Sequence, residues 1–406
     1  MGDEKRLEEP PTGRLILPSL AISRLTIAPP AVLTGLLLVD IALSFGTSVG
    51  VAGQIRTFSA LASVVSALLM SVLSIRFKHK SLLLVGLAFL TISAVGCGLA
   101  PDFNSLLVSY SLSGLGSAMV VSMTNTLVAE YFPVEKRARA VSLVVASEAM
   151  AYAVGAPVIG FIAGFGGWRT TFLVFVFTVS LLGLLLASRG LPSTSRSPQS
   201  RTGRKTYSGG FKDIFSNRSA VACLVGATLS VISFQVILLY SASFIRQRFL
   251  LPTSLVSLSS MVTALSYTVG SLVAGRFVNK LGRKPLTVLA SLLAGLFIMS
   301  HMNIPNLWAA LIVGYIGCLF AGIRYTAATS LTLEQVPAFR GTMMSLYSAA
   351  ISIGTALGAG IGGLVLLLYN YELLGASLGA MGVAASVLLY LLAIDPTKTN
   401  HKVAKP

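Results

Sequence analysis

Ionisable side chains inside long apolar segments are the residues of this sequence best suited to bind or carry charge. Arg324 lies 13 residues before Pro337, and Glu148 lies within an apolar segment that begins near residue 140. At 1.5 Å per helical residue, Arg324 is roughly 20 Å and Glu148 roughly 12 Å from the end of its helix. Charges at such a depth are costly and usually serve ion or substrate binding. We therefore expect both residues to take part in substrate binding or ion coupling.

Each of these residues also has a plainer interpretation. Arg324 would otherwise be a structural arginine that binds a helix C-terminus, and Glu148 would be a permanent ion-pair partner instead of a proton carrier. Arg24 and Arg56 are predicted to line the same cavity, although each reaches a membrane interface if its helix ends one turn away. Two further candidate substrate contacts, each better suited to a hydrogen bond between helices, are Gln235 and Tyr315.

The sequence predicts neither an enzyme nor a metal or cofactor site. The three cysteines fall inside apolar segments without metal-ligand spacing, and the three histidines are scattered. No phosphate-binding G-x-x-x-x-G-K-[S/T] loop occurs, and no nucleophile–base pair can be assembled. The glycine-rich run at 358–363 lies inside an apolar segment with no preceding strand, so it does not indicate a dinucleotide.

The composition indicates an all-α membrane protein. The 406 residues are 54% hydrophobic and 11% charged, whereas a soluble domain has about 25% charged residues. The apolar residues form runs near the ~20 residues that cross a bilayer as a helix. Twelve transmembrane helices are predicted, at 16–39, 49–75, 81–100, 105–130, 140–164, 169–190, 219–245, 253–276, 285–302, 306–334, 341–368 and 373–394.

The formal charge of +17 reflects membrane topology instead of nucleic-acid binding. Most Lys and Arg residues fall in alternate loops, at the two ends of the chain and in the central segment. Such residues collect on the cytoplasmic side of a membrane. We therefore expect a multi-pass protein of the cell membrane with both termini in the cytoplasm, without a cleaved signal peptide.

The chain is predicted to consist of two related halves. Residues 71–80 and 275–284 are basic loops with a similar layout, 204 residues apart, and the same offset relates Glu130 to Glu334. Internal duplication is common in secondary transporters. The predicted organisation is a tail at 1–15, a six-helix bundle at 16–190, a polar linker at 191–218, a second bundle at 219–394 and a tail at 395–406.

These motifs resemble those of the major facilitator superfamily. The second basic loop matches the family signature between neighbouring spans better than the first loop, which has Ser71 and Ile75 where the family has glycine and an acid. The stretch that contains Gly155, Pro157 and Gly160 resembles the helix-packing motif of the drug:proton antiporter branch. The residues that match the signature are Arg76 and Lys80 in the first loop, and Gly275, Asn279, Lys280, Gly282 and Arg283 in the second.

The resemblance implies a fold of two pseudo-symmetric six-helix bundles and alternating access. It implies that the signature residues form a conformational latch, and that spans five and ten approach each other closely enough for a Glu148–Arg324 pair. Tyr110 occupies the position where antiporters of the family carry an arginine, which departs from their usual proton coupling.

Together these features predict a secondary active transporter. An excess of arginine over carboxylate favours a small anionic or amphipathic solute, and the antiporter-like motif favours efflux in exchange for protons. The alternatives are a lipid or glycolipid flippase of the same fold and a transporter-like sensor that moves nothing. The expected partners are the solute, protons and the lipid bilayer, with the protein a monomer and no nucleic acid bound.

Overall fold

The computed structural model of the protein describes residues 15–192 and 213–395, and this part of the chain is helical without any β-strand. The α-helices of the first half are α1 (Ile16–Leu25), α2 (Ala28–Leu36), α3 (Leu38–Ser44), α4 (Val49–Arg76), α5 (His79–Leu99), α6 (Phe103–Tyr131), α7 (Val134–Thr171) and α8 (Phe177–Gly190). Those of the second half are α9 (Arg218–Gln235), α10 (Ser241–Phe249), α11 (Thr253–Leu281), α12 (Arg283–His301), α13 (Leu307–Leu333), α14 (Arg340–Leu368) and α15 (Tyr371–Leu392). The two tails and most of the predicted linker lie outside the described residues.

Several of the predicted membrane spans are built from more than one helical piece. The first span consists of α1, α2 and α3, with Pro29 and Pro30 in the first turn of α2, where a missing backbone N–H does little harm. π-helical turns at Phe172–Val176 and Val236–Tyr240 join α7 to α8 and α9 to α10. Such turns relax the helical hydrogen-bond ladder of the sixth and seventh spans. These two spans and the divided first span are therefore irregular helices.

Eleven helical segments in the described residues are long and apolar enough to cross a membrane. One of them, Leu143–Gly190, has 48 residues and would be roughly 72 Å long if straight, more than twice the thickness of a bilayer core. Gly167 interrupts it with a φ of 71°. Ser147 donates to the Ala21 carbonyl (2.7 Å) and Ser19 donates to the Leu186 carbonyl (3.1 Å), so both ends of the segment contact α1. The chain therefore reverses at Gly167, and the twelve predicted passes are confirmed.

The two halves repeat the same local structures 204 residues apart. Asp102 and Asn306 each cap a helix by accepting a hydrogen bond from the backbone N–H three residues later. His79 pairs with Glu130, and at the equivalent positions Arg283 lies 4.0 Å from Glu334. The predicted duplication is thus visible as equivalent caps and equivalent ion pairs, which supports the offset as a guide to equivalent positions.

An even number of passes places residues 15, 192, 213 and 395 on one side of the molecule, which we call the linker side. The opposite side carries the short turns at 45–48, 250–252 and 369–370, and we call it the turn side. Arg246 donates to Asp40 through Nη2 (2.9 Å) and Gln54 donates to the Gly360 carbonyl (3.3 Å). These hydrogen bonds join the two halves near the turn side, so the halves are in direct contact there.

Candidate functional site

The central feature of the candidate site is an ion pair between the first and fifth spans. Arg24 of α1 donates from Nε to Glu148 Oε2 of α7 at 2.6 Å, and its Nη1 donates to the Val121 carbonyl of α6 at 3.3 Å. The side chains are 11% and 23% exposed, so water reaches the pair only in part. Arg24 therefore lies inside the protein and does not extend to an interface.

This pairing corrects the expected contact between Glu148 and Arg324. Glu148 is paired with Arg24, and no ion pair or hydrogen bond of Arg324 occurs among residues 15–192 and 213–395. Arg324 is 4% exposed and lines a small cavity inside the second half, between α9, α12, α13 and α15. The side of α13 that carries Arg324 thus faces its own bundle, which apolar periodicity did not reveal.

Arg56 extends the positive charge of the site on the first half. Its Nη1 donates to the hydroxyl of Tyr110 at 3.4 Å, and that hydroxyl donates to the Pro30 carbonyl at 3.1 Å. Tyr110 is 1% exposed and also lies 3.0 Å from the Thr34 hydroxyl. Tyr110 is neutral and therefore accepts a hydrogen bond from the guanidinium of Arg56, which extends from α4. This contact lies beside the proline-containing start of α2.

Two tyrosines complete the site, and neither was among the residues predicted from the sequence. Tyr152 interacts electrostatically with Glu148, Arg56 and Arg24, and Tyr325 of the second half interacts with Glu148 and Arg24. Tyr152 lies four residues after Glu148, on the same face of α7, and this spacing was a usable signal. Tyr325 carried no such signal, because its approach to the pair depends on how the two halves meet.

The remaining predicted contacts belong to packing between helices. The Tyr315 hydroxyl donates to Ser259 Oγ at 3.0 Å, within the second half. Gln235 is 1% exposed, and its Cγ lies against Gly358. Tyr315 therefore agrees with the plainer interpretation, a hydrogen bond between helices, whereas the buried Oε1 of Gln235 has no hydrogen-bond partner among the described residues.

The predicted latch residues lie at helix ends on the linker side. Lys80 donates to the Ser188 carbonyl at 2.8 Å, which joins the start of α5 to α8. Gly282 has a φ of 90° at the turn between α11 and α12, and Arg283 faces Glu334. Gly275 differs from expectation, because it lies inside α11 and a Cβ there would meet nothing within 4 Å. The other latch positions, whose role stays a prediction, are Arg76 near the end of α4, and Asn279 and Lys280 near the end of α11.

The helix-packing motif on α7 is only partly realised. A Cβ at Gly160 would lie 2.5 Å from Ser257 Cβ of α11, so this glycine permits a close contact between the halves. Gly155 has no atom within 4 Å of such a Cβ, which corrects the tight packing expected there. Pro157 lies inside α7.

Comparison with known proteins agrees with this architecture. A family model described as Major Facilitator Superfamily matches residues 20–265 and 224–406. The uncharacterized MFS-type transporters YceJ and YwfA of Bacillus subtilis (strain 168) are 24% and 23% identical over 361 and 368 residues. These alignments cover 89% and 90% of this chain, and 90% and 88% of the relatives.

Solved structures share the fold at low sequence identity. A D-xylose-proton symporter aligns with a TM-score of 0.78 at 18% identity, over 94% of this chain and 98% of that one. A bacterial homolog of the human lysosomal transporter Spinster, inward-facing and unoccupied, aligns with a TM-score of 0.71 at 18% identity. That alignment covers 93% of this chain and 94% of the homolog.

Proposed function

Because the chain belongs to the major facilitator superfamily and is a multi-pass membrane transporter, we propose that it moves a small anionic or amphipathic organic solute by proton-coupled alternating access. The observation that carries this proposal is the partly buried pair of Arg24 with Glu148, which shares its neighbour Tyr152 with Arg56 and interacts with Tyr325 of the other half. A guanidinium binds carboxylate and phosphate groups well, so Arg24 is the residue that would bind the acidic group of the solute.

The coupling follows from competition for Arg24. While its carboxylate is ionised, Glu148 forms an ion pair with Arg24. Protonation of Glu148 breaks this pair and leaves the guanidinium free to bind a solute anion. Proton and anion then occupy the site together and cross in the same direction. Exchange of solute for protons, which the antiporter-like motif favours, requires instead a solute that donates hydrogen bonds to ionised Glu148 and leaves when that carboxylate is protonated.

The proposed orientation places the linker side in the cytoplasm of a cell with the protein in its plasma membrane, because Lys and Arg concentrate in the linker-side loops. The halves are joined on the turn side by Asp40–Arg246 and Gln54–Gly360. In this orientation the structure corresponds to a state closed towards the outside, from which the solute site would be reached from the cytoplasm.

The proposal is tested with the purified full chain in proteoliposomes. Small organic anions, zwitterions and cations are offered in counterflow, and a pH-sensitive dye inside the vesicles records the direction of proton movement. We expect counterflow with anions, and acidification of the lumen when the anion enters. The Glu148→Gln variant is expected to retain counterflow and to lose accumulation driven by a pH gradient.

The matched control is Glu372→Gln, which makes the same change in the Arg248–Glu372 pair of the second half and should retain both activities. Proton movement opposite to the solute would favour exchange. Absence of flux together with a ligand-dependent conformational change would favour the sensor. Movement of labelled lipid between leaflets without solute flux would favour the flippase.

A further inference from the structure

A small cavity inside the second half is separate from the Arg24–Glu148 pair. It lies between α9, α12, α13 and α15 towards the linker side, and its volume is about 10 Å³, close to the space that one water molecule occupies. The polar residues that line it are Cys223, Ser230, Thr287, Ser291, Arg324 and Thr332.

The groups in this cavity that lack a partner are hydrogen-bond donors. Arg324 is 4% exposed and makes no ion pair or side-chain hydrogen bond among the described residues, and its electrostatic neighbours there are the neutral phenols of Tyr267, Tyr325 and Tyr347. Ser230 Oγ and Ser291 Oγ are buried and also without a hydrogen-bond partner there, whereas the Thr287 hydroxyl already donates to the Arg283 carbonyl. A guanidinium can only donate, and no acidic residue lines the cavity. A small anion would satisfy all three groups at once, because it accepts hydrogen bonds and balances the charge of the guanidinium.

The first half shows that the fold does not require a charge at this place. The positions 204 residues before Arg324 and Ser291 are Val120 and Leu87, and both are completely buried in an apolar cluster with Leu83, Met119 and Met123. A bundle of the same architecture is thus closed here without a charged residue, since the positions equivalent to Cys223 and Ser230 are the neutral, buried Ser19 and Thr26. Since an uncompensated buried charge is strongly destabilising, the second half keeps Arg324 at a cost that a bound anion would remove.

We propose that this cavity binds a small inorganic anion of the halide class, coordinated by Arg324, Ser230 and Ser291. The volume is too small for the body of an organic solute, and the donors come from three helices, α9, α12 and α13. Binding would neutralise Arg324 and connect these helices. The protein would then be more stable, and its second half more rigid, when chloride is present.

The test uses the purified full chain in detergent, with melting temperature as the readout. Sodium chloride replaces sodium gluconate at constant ionic strength, which separates chloride binding from general screening. We expect a saturable rise in melting temperature with chloride and with bromide. Ser230→Ala and Ser291→Ala should each weaken the apparent affinity for chloride about tenfold, because each removes one hydrogen bond to a charged ligand. Arg324→Gln should abolish the chloride-specific rise.

Ser243→Ala is the matched control, because Ser243 is also a completely buried serine of the second half but does not line the cavity. It should leave the chloride response unchanged. Equal melting temperatures in chloride and gluconate would overturn the proposal, as would a chloride response that survives in both cavity serine variants. The serine variants decide the question if Arg324→Gln does not fold. Because the readout is stability, the result is independent of whether the protein transports an organic anion.

Discussion

Arg24 and Glu148 stabilise each other's charged forms more strongly than the two members of an exposed ion pair do. With side chains 11% and 23% exposed, the charges are only partly screened by water, and neither has a second carboxylate or guanidinium at hydrogen-bond distance among the described residues. Removal of one partner leaves the other charged in a poorly hydrated place, which costs more than loss of the contact alone.

We therefore predict strong coupling between substitutions at Arg24 and Glu148. Arg24→Met alone and Glu148→Gln alone should each lower the free energy of unfolding, whereas the double variant should be more stable than the sum of the single effects implies. The expected coupling is about 2 kcal/mol. It is measured by denaturant unfolding of the purified protein, as a double-mutant cycle. Additive effects of the two substitutions would show that the pair does not contribute in this way.

For single residues, the sequence predicted which side chains belong to the site better than it predicted which of them pair with each other. Arg24, Arg56 and Glu148 were recognised because charges within apolar segments are rare. Their pairing was not predicted, since membrane helices with apolar residues on nearly every face give no clear rotation about the helix axis. Arg324 and Tyr325 are sequence neighbours, yet one faces the interior of the second half and the other approaches Glu148, and only the packing of α13 determines which.

Among the helical elements, the reversal at Gly167 is a position that favours one residue type. Its φ of 71° is in the left-handed region, which glycine adopts without the steric cost that a Cβ imposes. The sequence predicted two spans here, at 140–164 and 169–190, and the structure adds how the chain turns between them. No other residue between Leu143 and Gly190 has a positive φ, so the turn is concentrated at this position.

Gly167→Ala is predicted to destabilise the protein by about 1 kcal/mol through backbone strain. No atom lies within 4 Å of a Cβ at this position, so the effect should come from the backbone and not from a clash. Gly164→Ala serves as the control, because it also has free space but lacks a positive φ and should be neutral or slightly stabilising. Thermal unfolding of both variants provides the measurement, and equal melting temperatures would contradict the strain argument.

A second element-scale feature is the close contact of α4 with α14 near the turn side. A Cβ at Gly50 would collide with the Gly363 carbonyl and lie 3.0 Å from the Leu367 backbone nitrogen. We predict that Gly50→Ala prevents the two helices from closing and favours a state open on the turn side. A cysteine at Gln54, beside Gly360, should then be alkylated several-fold faster. Gly155→Ala, which meets no atom, should leave the alkylation rate unchanged.

At the scale of the whole molecule, the two halves form a pseudo-symmetric frame with unequal interiors. The equivalent pairs His79–Glu130 and Arg283–Glu334 lie at helix ends on the linker side of each half, while Arg24, Arg56 and Glu148 belong to the first half alone. The 204-residue offset in the sequence predicted the frame. It also shows that the interiors differ, because Thr228, Ser260 and Ser352 stand at the positions equivalent to Arg24, Arg56 and Glu148, but it does not show which of these charges pair.

The ion pair of Asp40 with Arg246 joins the two halves near the turn side, and we predict that it stabilises the closed state. Both side chains are partly exposed, at 33% and 16%, so loss of the pair in Asp40→Asn should cost about 1 kcal/mol, or roughly a fivefold shift towards the turn-side-open state. The shift is measured as the distance between spin labels at the exposed residues Leu99 and Trp308, with the three native cysteines replaced.

Two further variants distinguish this contact from a general effect of charge. Exchange of the two residues, Asp40→Arg with Arg246→Asp, restores an ion pair of opposite polarity and should return the label distance towards that of the parent protein. Glu372→Gln breaks the Arg248–Glu372 pair, which lies within the second half, and should leave the distance unchanged. If Asp40→Asn leaves the distance distribution unaltered, then close helix packing such as Gly50 against Gly363 holds the turn side closed without help from this pair.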